Sequence, residues 1–529
     1  MNSDARRTTT RRTTARRAAA ALVAGVLLLA GCSTPAKEQS SVGSGSPSPD
    51  ASTGGSAGGS GAPAGFEEFY GQSLEWSGCE DGFECATASA PLSWHDADAG
   101  SIELALVRSR AQGRDRDKVG SLLVNPGGPG ASGTDFVRSA VGTFGEPVKE
   151  SFDIVGFDPR GVGESTAVRC FDDARKDESL SKDFGTDDAG LAAMADEAEA
   201  WGEACAESTG ELLGQVDTQS AARDMDLMRA VLGDEKLNYL GYSYGTQLGA
   251  TYAGLFPDRA GRLVLDGAID TSLSADDISK GQAVGFENAL RAYVTDCQGG
   301  PDCPLTGSVD DGMRQVRAVL DQAYERPYPT SDPNRDVTQT LAFYGVAVTL
   351  YDEASWPLLT QALDEAINEG KGDVLLYLAD FYNDRNADGS FATNSSEGFR
   401  AVNCLDDRGT TDVDEMRANA AEIEDVAPTM GRFFAYGGVT CADWPYPEAE
   451  QEFDLHAKGA PPIVVVGTTN DPATPYVWAE GLADTLETAT LVTYEGEGHT
   501  AYGRSNDCVA KAVEGYLVDG TVPEDGLTC

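Results

Sequence analysis

The chain has 529 residues, of which 86 are acidic and 39 basic, for a formal net charge of −47. So acidic a surface argues against nucleic-acid binding, because it repels the phosphate backbone. It repels anionic lipid headgroups too, and its plain consequence is solubility.

Arg6, Arg7, Arg11, Arg12, Arg16 and Arg17 precede the apolar run Ala18–Ala30. A basic stretch before so short an apolar core is a signal peptide rather than a membrane span. Leu29-Ala30-Gly31-Cys32 matches the bacterial lipoprotein cleavage box. Residues 1–31 are therefore expected to be removed and Cys32 to be lipidated as the first residue of the mature protein. Removal of the six arginines and one aspartate leaves the chain more negative still. Residues 32–64, rich in Ser, Gly, Pro and Ala, bury no core and read as a flexible tether reaching about 30 Å. No later segment reads as a spanning helix. The expected location is the outer face of the cell membrane, with the lipid as sole anchor.

Residues 65–271 read as the first part of a sheet domain. Val119–Asn125 is a buried strand that runs into Pro126-Gly127-Gly128-Pro129-Gly130. Phe152–Phe157 is another, and Asp158 and Arg160 just beyond it are expected to brace loops rather than perform chemistry. Lys236–Tyr242 then enters Gly241-Tyr242-Ser243-Tyr244-Gly245, followed by a segment of helical character. A serine between strand and helix in this pattern sits on a nucleophile elbow. Gly54-Gly55-Ser56-Ala57-Gly58 has the same pattern, but it lies in the tether, where no strand can form. Ser243 is the candidate nucleophile, and the N–H of Tyr244 a candidate oxyanion donor. The glycine-rich loop supplies the second donor, Gly128 by preference and Gly127 otherwise. Gly261–Asp266 is the next strand, which makes Asp266 one candidate acid.

From 272 to 435 the helical period dominates, as in 309–324 and 356–367, each with an apolar stripe. This is read as a helical cap inserted above Ser243, able to bind a substrate's amino terminus through carboxylates. Asp406 and Asp407 are candidates for that. Residues 436–529 complete the sheet domain. Pro462–Gly467 is a strand ending near Asp471, which is favoured over Asp266 as the acid that orients a histidine. One helix from Tyr476 to about Leu486 and one strand follow, and then His499, where the order Ser…Asp…His puts the base. His95 and His456 are expected on the surface.

Without Cys32 ten cysteines remain, an even number that suits five disulfides outside the cytoplasm. Sequence does not fix their connectivity. Pairing of sequential neighbours is expected, foremost Cys79–Cys85 and Cys297–Cys303, which close short loops. No cysteine pair has histidines at ligand spacing, so neither a metal nor a cofactor is expected.

Asn125-Pro-Gly-Gly-Pro-Gly130, Asp158-Pro-Arg-Gly-Val-Gly163, Gly241-Tyr-Ser-Tyr-Gly245 and the Asp471/His499 segment together resemble actinobacterial secreted tripeptidyl aminopeptidases. These are α/β-hydrolases related to prolyl iminopeptidases, and the resemblance runs from about residue 66 to the C-terminus. Prolyl iminopeptidases carry His-Gly-Gly-Pro-Gly, whereas here Asn125-Pro126 precedes the glycines, which favours the tripeptidyl branch. The resemblance implies a doubly wound, mostly parallel sheet with an inserted helical cap. It also implies a serine exopeptidase acting on peptides with a free N-terminus and releasing tripeptides. An esterase or lipase using the same triad is the alternative, and a non-catalytic solute-binding lipoprotein the remote one. Oligomeric state is not legible.

Overall fold

The computed structural model describes residues 61–529. The arginine-rich leader, Cys32 and most of the tether lie outside the described residues.

Ten strands form one sheet: β1 Ser77–Gly78, β2 Glu84–Pro91, β3 Ser101–Ser109, β4 Gly120–Asn125, β5 Phe152–Phe157, β6 Leu237–Tyr242, β7 Ala260–Asp266, β8 Ile463–Asn470, β9 Ala489–Glu497 and β10 Leu527–Thr528. Their order is β1-β2-β3-β5-β4-β6-β7-β8-β9-β10. From β5 to β10 all neighbours are parallel, while β1, β2 and β3 add an antiparallel edge. The parallel strands are apolar runs because helices cover both faces. Alternate residues serve the two sides. Leu122, Val124, Leu240 and Val464 pack on Val137 of α2 (Gly133–Ala140), Val148 of α3 (Glu146–Ser151) and Val513 of α16 (Asp507–Asp519). Leu123, Tyr239, Leu263 and Val465 pack on Met225 of α6 (Thr218–Leu232), Leu248 of α7 (Tyr244–Leu255) and Leu482 of α15 (Tyr476–Thr485). This is the α/β-hydrolase sheet. Strand order reverses between β4 and β6, and an open α/β sheet holds its ligand outside the carboxyl ends at such a point.

The segment between β7 and β8 is helical. It holds α8 (Ala275–Gly299), α9 (Val309–Glu325), α10 (Gln339–Thr349), α11 (Trp356–Asp364), α12 (Asp373–Tyr382), α13 (Ser395–Asp406) and α14 (Val413–Val426). Local sequence explains α9 well. Ser308 and Asp311 form a capping box at its start, and Met313, Val316, Leu320 and Ala323 make a buried stripe. Helices α8 to α12 enclose a core of their own, around Leu290, Tyr293, Leu320, Val346 and Leu375. Helix α13 instead buries Ala401, Val402, Cys404 and Leu405 against the sheet domain's core.

The insert between β7 and β8 is joined by another helical segment. A second helical excursion leaves β5 and returns at α6, carrying α4 (Asp173–Leu180) and α5 (Asp188–Thr209). It clamps the larger insert from the side. Lys176 pairs with Glu397 at 2.7 Å, both side chains buried, and Asp183 accepts the N–H groups of Gln339 and Thr340. Its starts were marked by the caps Asp172 and Asp187, which accept from the first turn of each helix.

Five disulfides join sequential neighbours, as expected: Cys79–Cys85, Cys170–Cys205, Cys297–Cys303, Cys404–Cys441 and Cys508–Cys529. Among the described residues no helix is long and apolar enough to cross a membrane.

Candidate active site

Ser243 stands between β6 and α7 with φ 55° and ψ −126°. A positive φ at a residue with a Cβ is strained and persists only where its surroundings hold it. Here the Ser243 N–H donates to the Asp266 carbonyl at 2.9 Å, and the Thr246 N–H and hydroxyl both donate back to the Ser243 carbonyl. The flanking glycine is needed for space, since a Cβ on Gly241 would lie 2.3 Å from the Gly245 carbonyl oxygen.

His499 lies just past β9. Its Nδ1 is 2.9 Å from each carboxylate oxygen of Asp471, which is fully buried. Three backbone N–H groups fix that carboxylate: Ala473 at 2.9 Å, Thr474 at 2.8 Å and Thr500 at 3.1 Å. The imidazole is thus clasped through Nδ1, which leaves Nε2 as its second working nitrogen. The larger insert takes part as well. The Tyr351 carbonyl accepts the His499 N–H at 2.9 Å, and the Tyr351 ring meets the imidazole edge-on, with centroids 5.4 Å apart. Sequence reasoning missed Tyr351, because nothing local marks it.

Elbow and imidazole converge across the end of β7. A Cβ on Gly267 would lie 3.3 Å from His499 Cε1, and the residue before it, Asp266, receives the Ser243 N–H. Among the described residues the Ser243 hydroxyl has no hydrogen-bond partner, so its contact with the imidazole is not formed in this chain alone. Catalytic hydrogen bonds commonly tighten only with substrate.

Asp266, the rival acid, does different work. Fully buried, it accepts the N–H groups of Ala501 and Tyr502 at 2.9 and 2.7 Å, fixing the loop that carries His499. Burial pushes its carboxyl up to about 6, against the lowering pull of those bonds. Asp158 accepts from Ser132, Thr134 and Glu164, and burial raises its pKa as well. Arg160 makes a buried two-point pair with Asp224 and donates to the carbonyls of Pro91, Leu92 and Gln215. Both residues brace loops.

The glycine-rich loop closes on the elbow from the β4 side. A Cβ on Gly127 would stand 2.6 Å from the Tyr242 carbonyl oxygen and 2.8 Å from Ser243 Cβ, so only glycine fits. The Gly127 N–H is occupied by Asn125 Oδ1 at 2.9 Å. This gives Asn125 a definite task. The N–H groups of Gly128 and Tyr244 donate to no group among the described residues.

Asp406 and Asp407 part company. Asp407 accepts from Ala275 at the start of α8 and from Gly409. Asp406 accepts the Thr218 N–H and hydroxyl, and Thr218 in turn bonds the Tyr244 hydroxyl. Burial pushes Asp406 up to about 7. His95 and His456 are exposed, beside Glu452 and Asp454. Among the described residues no cluster of three or more metal-ligating side chains occurs.

Residues 427–529 match the family model described as TAP-like protein. The chain is 36% identical over 487 residues to serine protease Hip1 of Mycobacterium tuberculosis, covering 88% of this chain and 92% of that one. It is 36% identical over 457 residues to carboxylesterase B of the same species, covering 84% and 86%. It is 29% identical over 476 residues to tripeptidyl aminopeptidase of Streptomyces coelicolor, covering 86% of each. The chain belongs to this TAP-like family of α/β-hydrolases and is a peptidase-like serine hydrolase.

Proposed function

We propose that the protein is a lipid-anchored extracellular aminopeptidase that removes tripeptides from the free N-terminus of peptides through a Ser243–His499–Asp471 triad. The observation that carries this reading is the two-point clasp of His499 by a carboxylate already pinned by three N–H groups, facing a strained serine elbow. In the proposed cycle Ser243 attacks the scissile carbonyl while His499 takes its proton. The N–H groups of Tyr244 and Gly128 hold the oxyanion, and His499 then protonates the leaving amine. Water hydrolyses the acyl-enzyme by the same route. The helical insert acts as a cap that limits access and receives the amino terminus. Asp406, linked through Thr218 to Tyr244, is the acceptor we favour. The tripeptidyl aminopeptidase of Streptomyces supports the substrate, and the lipoprotein box at Cys32 supports the location.

The test uses residues 33–529 on a free tripeptide p-nitroanilide and its N-acetylated twin, with Ser243→Ala as the blank. Cleavage of the free peptide alone, abolished in the variant, is expected. Equal cleavage of both would remove the amine anchor. A second reading, an esterase with the same triad, is favoured by the relative named carboxylesterase B. It predicts that p-nitrophenyl esters outrun every peptide.

A further inference from the structure

In so acidic a chain almost every cation among the described residues has a carboxylate or carbonyl to serve. Among the described residues, the side chains of Arg169, Arg326, Arg400, Lys458 and Lys511 have neither an ion pair nor a hydrogen bond. Four of these five are exposed, whereas Arg400 is half-buried. A guanidinium has five N–H donors and no acceptor, so even partial withdrawal from water without a partner is costly. That burial lowers the Arg400 pKa.

Its setting is that of a binding wall. The guanidinium lies over the Trp201 indole, with Cζ 4.8 Å from the ring centroid. A cation–π contact engages the charge without using up the N–H donors. None of its nitrogens is sealed from solvent. The neighbouring residue on α13 is Phe399, half of whose surface is open. A Cβ on Gly130, at the end of the glycine-rich loop, would lie 2.8 Å from the Phe399 backbone nitrogen. Burial pushes the Tyr344 phenol up, and the nearby Arg400 charge pulls it back down. Tyr344 stacks on Tyr382 at 4.8 Å, and Tyr351 beyond them stands edge-on to His499. Glu197, the carboxylate whose charge reaches Arg400, is already engaged by Arg175, Ser179 and Lys182.

We propose that Arg400 is a specificity residue that takes a carboxylate of the substrate beside α13 and these aromatic rings. The proposal rests on the hydrolase reading above. A carboxylate fits because it matches the guanidinium fork at two points. The acidic exterior does not forbid it, since surface charge is screened within about 8–10 Å while the arginine acts at contact. The carboxylate is either an acidic side chain of the peptide or its C-terminus.

The experiment compares wild type, Arg400→Gln and Arg400→Lys on pairs of isosteres. Tripeptide p-nitroanilides carry Glu or Gln at each position in turn, and a tetra-alanine carries a free or an amidated C-terminus. One pair is expected to favour the carboxylate by roughly ten- to a hundred-fold in kcat/KM. That ratio should collapse towards one in Arg400→Gln and survive in part in Arg400→Lys. The pair that responds identifies the source of the carboxylate. A purely structural role would slow both members alike and keep the ratio, overturning the proposal, as would a wild type with no preference in any pair. If wild type cleaves no peptide, the peptidase reading fails separately. The same ratio is then read on mono-p-nitrophenyl glutarate against its methyl ester.

Discussion

Two regions border the Ser243 and His499 site, the sheet's carboxyl ends and the helical side, and they are built differently. At the carboxyl ends of β6 to β9 every group near the reacting atoms is held by the backbone: Asp471 by three N–H groups, the His499 loop by Asp266, and Ser243 by the Asp266 carbonyl and Thr246. On the helical side the groups are mostly side chains held by one another, Tyr344 on Tyr382 and Arg400 on Trp201, while Asp406 takes both the hydroxyl and the N–H of Thr218. Backbone networks fix positions to fractions of an ångström, and side-chain stacks are easier to exchange. The difference teaches where chemistry and where selectivity reside in this molecule. Substitutions at the sheet should cost rate on all substrates, and substitutions in the insert should change which substrate is preferred.

The largest test of that division is Ser243→Ala, expected to lower kcat by roughly 10^5–10^6-fold with the melting temperature unmoved. Next comes Asp471→Asn, expected to cost roughly 10^4-fold in kcat because it forces the wrong imidazole tautomer. Asp266→Asn separates the two acids. Its amide N–H₂ must face an N–H of Ala501 or Tyr502, a loss of about 1–3 kcal/mol of stability. Activity should fall only about ten-fold, through a shifted His499 loop. If Asp266→Asn and Asp471→Asn proved equally damaging to kcat at equal stability, the assignment of roles would fail.

The same division explains what the sequence made legible. Ser243, Asp471 and His499 are legible as candidates because each follows a recognisable strand, and a strand end is a local pattern. The sheet itself was legible as apolar runs, and α9 and α11 as periodic stripes. Tyr351 was not, because its task depends on the segment between α10 and α11 reaching the distant His499 loop, and no residue near it in the chain carries a mark. Helix α13 was read only as part of a cap. Its approach to Gly130 is a contact between distant segments, and it became visible only in three dimensions. The excursion through α4 and α5 had ordinary capping signals, but they were outweighed by the longer helical run downstream.

The Cys404–Cys441 disulfide links these two worlds, since it pins α13 to the segment that leads into β8. Replacing both cysteines by serine frees a loop with a sequence separation of 37 and is expected to cost about 4 kcal/mol, against about 2 kcal/mol for Cys79–Cys85 with a separation of 6. Differential unfolding in denaturant checks both values. If α13 carries selectivity, the Cys404/Cys441 variant should also lose discrimination between free and acetylated peptides while keeping ester hydrolysis. The Cys79/Cys85 variant should keep both.

The smallest expected effect concerns Asp406. Its pKa is raised to about 7 in the folded protein, chiefly by burial, from an ordinary carboxyl value of 3.8. The folded state therefore binds its proton more tightly than the unfolded chain does, and stability from this group is full below about 4 and lost as pH rises through about 7. Asparagine can accept the Thr218 N–H and donate to its hydroxyl, so Asp406→Asn preserves the contacts and removes the titration. Melting temperatures of wild type and variant should agree at pH 4 and diverge by a few degrees up to pH 8, with the variant the more stable. A substrate ammonium bound at Asp406 would favour the ionised form and oppose that divergence. A tripeptide product should then narrow the gap at pH 8 for wild type alone, whereas equal shifts in both proteins would move the amine anchor elsewhere.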